Sequence, residues 1–109
     1  MLELWQTEWC PASRRVRERL TELGVDYLAR QVPVEREQRA ALVHLTGADT
    51  IPALILENGD AVIGETEIRA YLDGWIVEPP EAEAHRLKAA KVRRRYLEEE
   101  CDCSQPASR

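Results

Sequence analysis

At 109 residues the chain has the size of one domain with a single modest core. A net charge of −5 speaks against nucleic acid as a partner, and no apolar run approaches the length that crosses a bilayer, which speaks against a membrane partner. Met1 leads straight into an apolar alternation without a signal-peptide pattern, so the expectation is a cytoplasmic chain whose three cysteines are free thiols in a reducing compartment.

Leu2, Leu4 and Trp5 predict a strand over 2–6. Val16, Leu20 and Leu23, closed by Gly24, predict a helix over 11–23. Tyr27 to Val34 reads as a second strand, with Pro33 marking its end, and a helix of this length between two strands implies a parallel pair. Residues 35–45 read as a helix stopped by Gly47. Residues 53–57 and 61–63 flank Asn58-Gly59, a strong hairpin signal. Ile68, Tyr71, Leu72 and Trp75 follow the spacing of an amphipathic helix with acidic residues in its first turn. The order βαβαββα predicts an α/β domain over 1–78, a four-stranded mixed sheet with helices on both faces.

After Glu78-Pro79-Pro80-Glu81, a helical extension is expected over 81–100 within the segment 79–109. Its thin stripe of Ala82, His85, Ala89, Val92 and Tyr96 is expected to pack on the domain rather than on a partner. Residues 101–109 have the composition of a disordered tail, with Cys101 and Cys103 as exposed thiols. One of these two could instead resolve Cys10 if the helix folds back. Two cysteines one residue apart supply only half of a zinc shell, so no metal is expected. His44 is expected to be packed within its helix and His85 to be at the surface.

Cys10 stands where the first strand ends and the first helix begins. Pro11 suits the first helical position, and the free N–H groups of a helix start favour a thiolate. Arg14 and Arg15, one turn on, push the same way, with Arg14 expected to stabilise the thiolate. A lone cysteine in a small domain is as readily an apolar filler. Pro52, at the mouth of a strand, is a candidate for a cis bond.

Two further segments change the weight of Cys10. Trp9-Cys10-Pro11-Ala12-Ser13 is similar to the Trp-Cys-Pro-x-Cys/Ser element of the glutaredoxin family, and Leu45-Thr46-Gly47-Ala48-Asp49-Thr50-Ile51-Pro52 to its Leu-Thr-Gly-x-x-Thr-Val-Pro element. The resemblance covers residues 1–77 and implies the thioredoxin fold. Ile63-Gly64-Glu65-Thr66-Glu67-Ile68 resembles more closely a Gly-x-Glu-Ser-x-Ile element of the glutathione transferase N-terminal domain, with Thr for Ser. The resemblance implies glutathione as co-substrate. The Ile51 backbone, beside Pro52, would meet its cysteinyl unit, and Glu65 and Thr66 its γ-glutamyl end, holding ligand rather than tuning the thiol. Pro11 and Ser13 would line the same site. Thr7 stands where glutaredoxins usually carry a Lys for the ligand's terminal carboxylate, and Arg39 is the candidate to replace it.

The implied activity is reduction of mixed disulfides, in glutathionylated proteins or small disulfides, through Cys10 alone, since Ser13 stands where dithiol relatives keep a second cysteine. A lowered thiol pKa raises the thiolate fraction but lowers its intrinsic nucleophilicity. The larger gain is in discharge, where Cys10 must leave. The alternatives are a glutathione transferase N-terminal-like binding protein, an iron–sulfur carrier and a non-catalytic module. Another low-molecular-weight thiol could replace glutathione.

Overall fold

The structure, a computed structural model, describes residues 1–103, with side chains through Arg95. Residues 104–109 of the expected tail lie outside it, as do the side chains of Tyr96, Cys101 and Cys103. The elements run β1 (Leu2–Gln6), α1 (Pro11–Leu23), β2 (Tyr27–Gln31), a single 3-10 turn (Arg36–Gln38), α2 (Ala40–Thr46), β3 (Ala53–Ile55), β4 (Ala61–Ile63), α3 (Glu65–Trp75) and α4 (Ala82–Cys103).

The strands form one sheet in the order β2-β1-β3-β4. β1 pairs parallel with β2, while β3 is antiparallel to both β1 and β4. This is the α/β, four-stranded mixed sheet of the sequence reading. The second strand is shorter than expected and stops at Gln31, before Pro33. The predicted second helix is split, with the 3-10 turn and then Arg39 preceding α2.

Leu4 and Leu54 on the sheet pack against Val16, Leu20 and Leu23 of α1 and Ile68 and Leu72 of α3. A smaller cluster of Val32, Leu42 and Ala53, with Trp5 and Ile51 against it, fills the opposite face under α2. Trp75, which its spacing puts on the apolar side of this helix, is 75% exposed and lies against Tyr71 with ring centroids 6.0 Å apart. It is the last residue of α3. His44, expected to be packed, is exposed, because only Leu42 of α2 is buried.

α1 ends in a Schellman motif. Gly24 adopts φ 70°, its N–H reaches the Thr21 carbonyl, and the Val25 N–H reaches Leu20. That turn sends Tyr27 back alongside Leu2. α4 lies on α1, as expected, with part of the expected stripe turned inward: Ala82 is buried and Ala89 half-buried. His85 and Val92 are exposed, while Arg86 and Arg93 lie on the same face as Ala82. Arg86 bonds Glu78 at 2.9 Å and approaches Glu22 at 3.5 Å, and Arg93 bonds Glu18 at 2.5 Å. Arg19 of α1 joins the same cluster, bonding Glu22, Asp73 and Glu78 at 2.8–3.0 Å. Arginine–carboxylate pairs thus line the seam beside the buried Ala82. Among the described residues no helix is long and apolar enough to cross a membrane.

Candidate functional site

The topology gathers three special points at one edge of the sheet. β4 is antiparallel to β3 and β3 to β1, so β1 and β4 end at the same edge, where α1 and α3 begin. β3 starts there, and the bond before it, Ile51–Pro52, is cis as the sequence suggested. Two helix N-termini, each with unpaired N–H groups and partial positive charge, therefore flank one loop. Gly64 closes the corner. Its N–H donates to the Pro52 carbonyl at 2.8 Å, and its φ of 92° with ψ of 152° is a conformation open to glycine alone.

Cys10 is the N-cap of α1, in extended conformation, with Pro11 at the first helical position. Its sulfur accepts the Ser13 N–H at 3.4 Å. Burial pushes the thiol up, but the Ser13 hydroxyl, the Ser13 and Ala12 N–H groups and the Arg15 charge outweigh it, and the thiol titrates below its ordinary value. Cys10 is half-buried and free. Ser13 is fully buried, and its hydroxyl also accepts the Thr7 N–H at 3.4 Å. Thr7 is itself buried, and its own hydroxyl has no partner among the described residues. Trp9 and Pro11 form an exposed rim beside the sulfur.

Of the two arginines near Cys10, it is Arg15, not Arg14, whose charge bears on the thiol. Arg14 is exposed and lines the groove beside α4. Arg15 crosses to α3. Its Nε and Nη2 bond the two carboxylate oxygens of Glu65 at 2.6 and 2.8 Å. This fork holds the Glu65 carboxyl below the usual carboxylate range, with Arg69 adding at 3.8 Å. Glu65 is thus tied to the arginine whose charge acts on Cys10. Sequence reading missed this pair. The available signal was opposite charge at two helix starts that the strand order brings to one edge. Thr66 is exposed in the first turn of α3.

Arg39 is not where a ligand would meet it. It is 6% exposed, and its guanidinium donates to the carbonyls of Pro33, Val34 and Asp49 at 2.8–3.1 Å. It stitches the chain after β2 to the loop that leads into Ile51–Pro52. A buried guanidinium must spend its donors on nearby acceptors, and these carbonyls are what the fold supplies. Ile51 is half-buried and stands two residues ahead of the first ladder pair, Ala53 with Ile63. Among the described residues no three His, Cys, Asp or Glu side chains come together in a metal-sized group.

The family profile described as glutathione S-transferase, N-terminal domain, matches residues 4–80. No curated protein matches the chain. Among solved structures, a glutathione S-transferase from Sinorhizobium meliloti is 32% identical over 68% of this chain and 32% of its own, with a TM-score of 0.63. One from Rhodospirillum rubrum is 28% identical over 72% of this chain and 35% of its own, also at 0.63. One from Methylobacillus flagellatus, solved with glutathione bound, is 24% identical over 69% of this chain and 37% of its own, at 0.61, a likeness of fold. The chain spans about a third of the length of these structures.

Proposed function

The chain belongs to the family of glutathione S-transferase N-terminal domains, and from that premise we propose that it is a glutathione-dependent thiol transferase working through Cys10 in the cytoplasm. The unit that carries the activity is residues 1–78, with α4 as an appended helix. The observation that carries the reading is the Ser13 N–H on the Cys10 sulfur, 3.4 Å apart, at a helix start beside the cis Ile51–Pro52 bond.

The Cys10 thiolate attacks the glutathione sulfur of a mixed disulfide on a protein or small molecule. The substrate thiolate leaves and takes a proton from water, and glutathione stays on Cys10. A second glutathione thiolate attacks the glutathione sulfur of that adduct, forms glutathione disulfide and releases the Cys10 thiolate. The α1 start stabilises the sulfur anion both as attacker and as leaving group. Glutathione lies with its cysteinyl unit on the Ile51 backbone and its γ-glutamyl end at α3. There the ammonium meets Glu65, and the carboxylate meets the Thr66 hydroxyl and the helix N–H groups. A peptide thiol with the same γ-glutamyl end would fit the same groups.

A second reading, a glutathione-binding domain of transferase type without disulfide turnover, draws on the family match itself. The test is turnover of a glutathionylated peptide by the protein and by Cys10→Ser, with mass spectrometry of the resting adduct. Turnover lost in Cys10→Ser, with glutathione mapped to Cys10, supports the thiol transferase. Glutathione binding with no turnover in either protein supports the second reading.

A further inference from the structure

Arg15 stands between two anions. Its fork closes on Glu65 at 2.6 and 2.8 Å, and its charge also acts on Cys10, five residues back along α1. The groups around it are few. Glu18, its neighbour on α1, is bonded by Arg93 of α4. Arg69 of α3 approaches Glu65 at 3.8 Å, and Arg14 lines the groove beside α4. In the loop before Cys10, Glu8 is exposed and lies 3.5 Å from Arg17. Glu65 is therefore the carboxylate that takes up most of the Arg15 charge.

We propose that Arg15 is a positioning residue that couples the two ends of the site, held by Glu65 until the amino group of a γ-glutamyl ligand takes that carboxylate and then turned more fully on the Cys10 sulfur. The inference rests on the γ-glutamyl end docking at Glu65. An ammonium on Glu65 competes with the guanidinium for the same two oxygens, and the charge released from one partner is felt by the other. The consequence falls on discharge, when Cys10 leaves as thiolate while a glutathione occupies Glu65. Coupling of this kind is reciprocal, so the ligand binds more tightly to the thiolate form than to the thiol.

The experiment follows the ultraviolet absorbance of the Cys10 thiolate against pH, with Cys101 and Cys103 changed to Ser, in the parent, Arg15→Gln, Glu65→Gln and the double variant. S-methylglutathione, which cannot exchange with a disulfide, is the probe. Arg15→Gln raises the midpoint and slows alkylation at neutral pH by about threefold, a modest figure because the pair is partly exposed. Glu65→Gln lowers the midpoint, and the double variant titrates like Arg15→Gln. S-methylglutathione lowers the parent's midpoint and leaves that of Arg15→Gln in place. An equal Glu65→Gln effect with and without Arg15, or an equal ligand effect on the parent and Arg15→Gln, overturns the coupling. A rise in Glu65→Gln would mean that Glu65 merely holds Arg15 in place, and overturns it too. Failure of the functional reading looks different: S-methylglutathione does not bind, or turnover is absent, while the ligand-free variants still show the pattern.

Discussion

The two faces of the sheet are built differently, and the site lies where they meet. Under α1 and α3 seven buried aliphatic side chains form one cluster. Under α2 the cluster has three, and Val34, Val43 and Leu45 stay exposed. On the first face apolar packing fixes the start of α1 and hence Cys10. On the second the loop carrying Ile51–Pro52 is held by Arg39 on three carbonyls. The nucleophile is thus set by packing, and the segment expected to meet the ligand by directional hydrogen bonds.

The contrast breaks most visibly in stability. Leu20→Ala, in the larger cluster, should cost about 3–4 kcal/mol, while Leu42→Ala, whose surroundings are half open and can collapse, should cost about 2 kcal/mol. Denaturant midpoints compare them directly, and equal losses would mean that the α2 face is packed as tightly as the other. Arg39→Met comes next, at about 1.5–3 kcal/mol for bonds from a charged donor. It should weaken glutathione binding by loosening the loop while leaving the alkylation rate of Cys10 unchanged. A slowed alkylation would show that the two faces are not independent at the site.

Much of this was readable in the residues. The bounds of β1, α1 and β4, the Gly24 stop and the place of Cys10 at the start of α1 follow from local patterns that tertiary contacts reinforce. The role of Arg39 did not, because an arginine that closes a loop and one that binds a carboxylate look alike until burial is known. Trp75 and His44 went astray for a related reason: helical spacing says which residues share a face, not where the opposing layer ends. The α4 contact was legible in part: Ala82 and Ala89 of its stripe turn inward, while the pairing of Arg86 and Arg93 with α1 carboxylates was not, because charged side chains read as a solvated face.

That contact supplies the smallest effect. Arg86 and Arg19 push the Glu78 carboxyl down to about 2. A carboxyl lowered on folding contributes stability that is fully present above its ordinary titration range and is lost as pH falls through its folded value. The seam between α1 and α4 should therefore loosen between about pH 4.5 and 2, and Glu78→Gln should loosen it at neutral pH. Hydrogen exchange of the α4 backbone against that of α1 reads both, and α4 protection that ignores pH over this window would assign the docking to Ala82 and its apolar neighbours instead.

The central claim is that the start of α1 holds Cys10 as a reactive thiolate. The most direct measurement is its alkylation rate against pH, with Cys101 and Cys103 changed to Ser, in the parent and in Ser13→Ala. The account predicts a parent midpoint clearly below that of a free thiol, about 8.5, and a higher one once the Ser13 hydroxyl is gone. A parent midpoint at or above the free-thiol value, unmoved by Ser13→Ala, would contradict it.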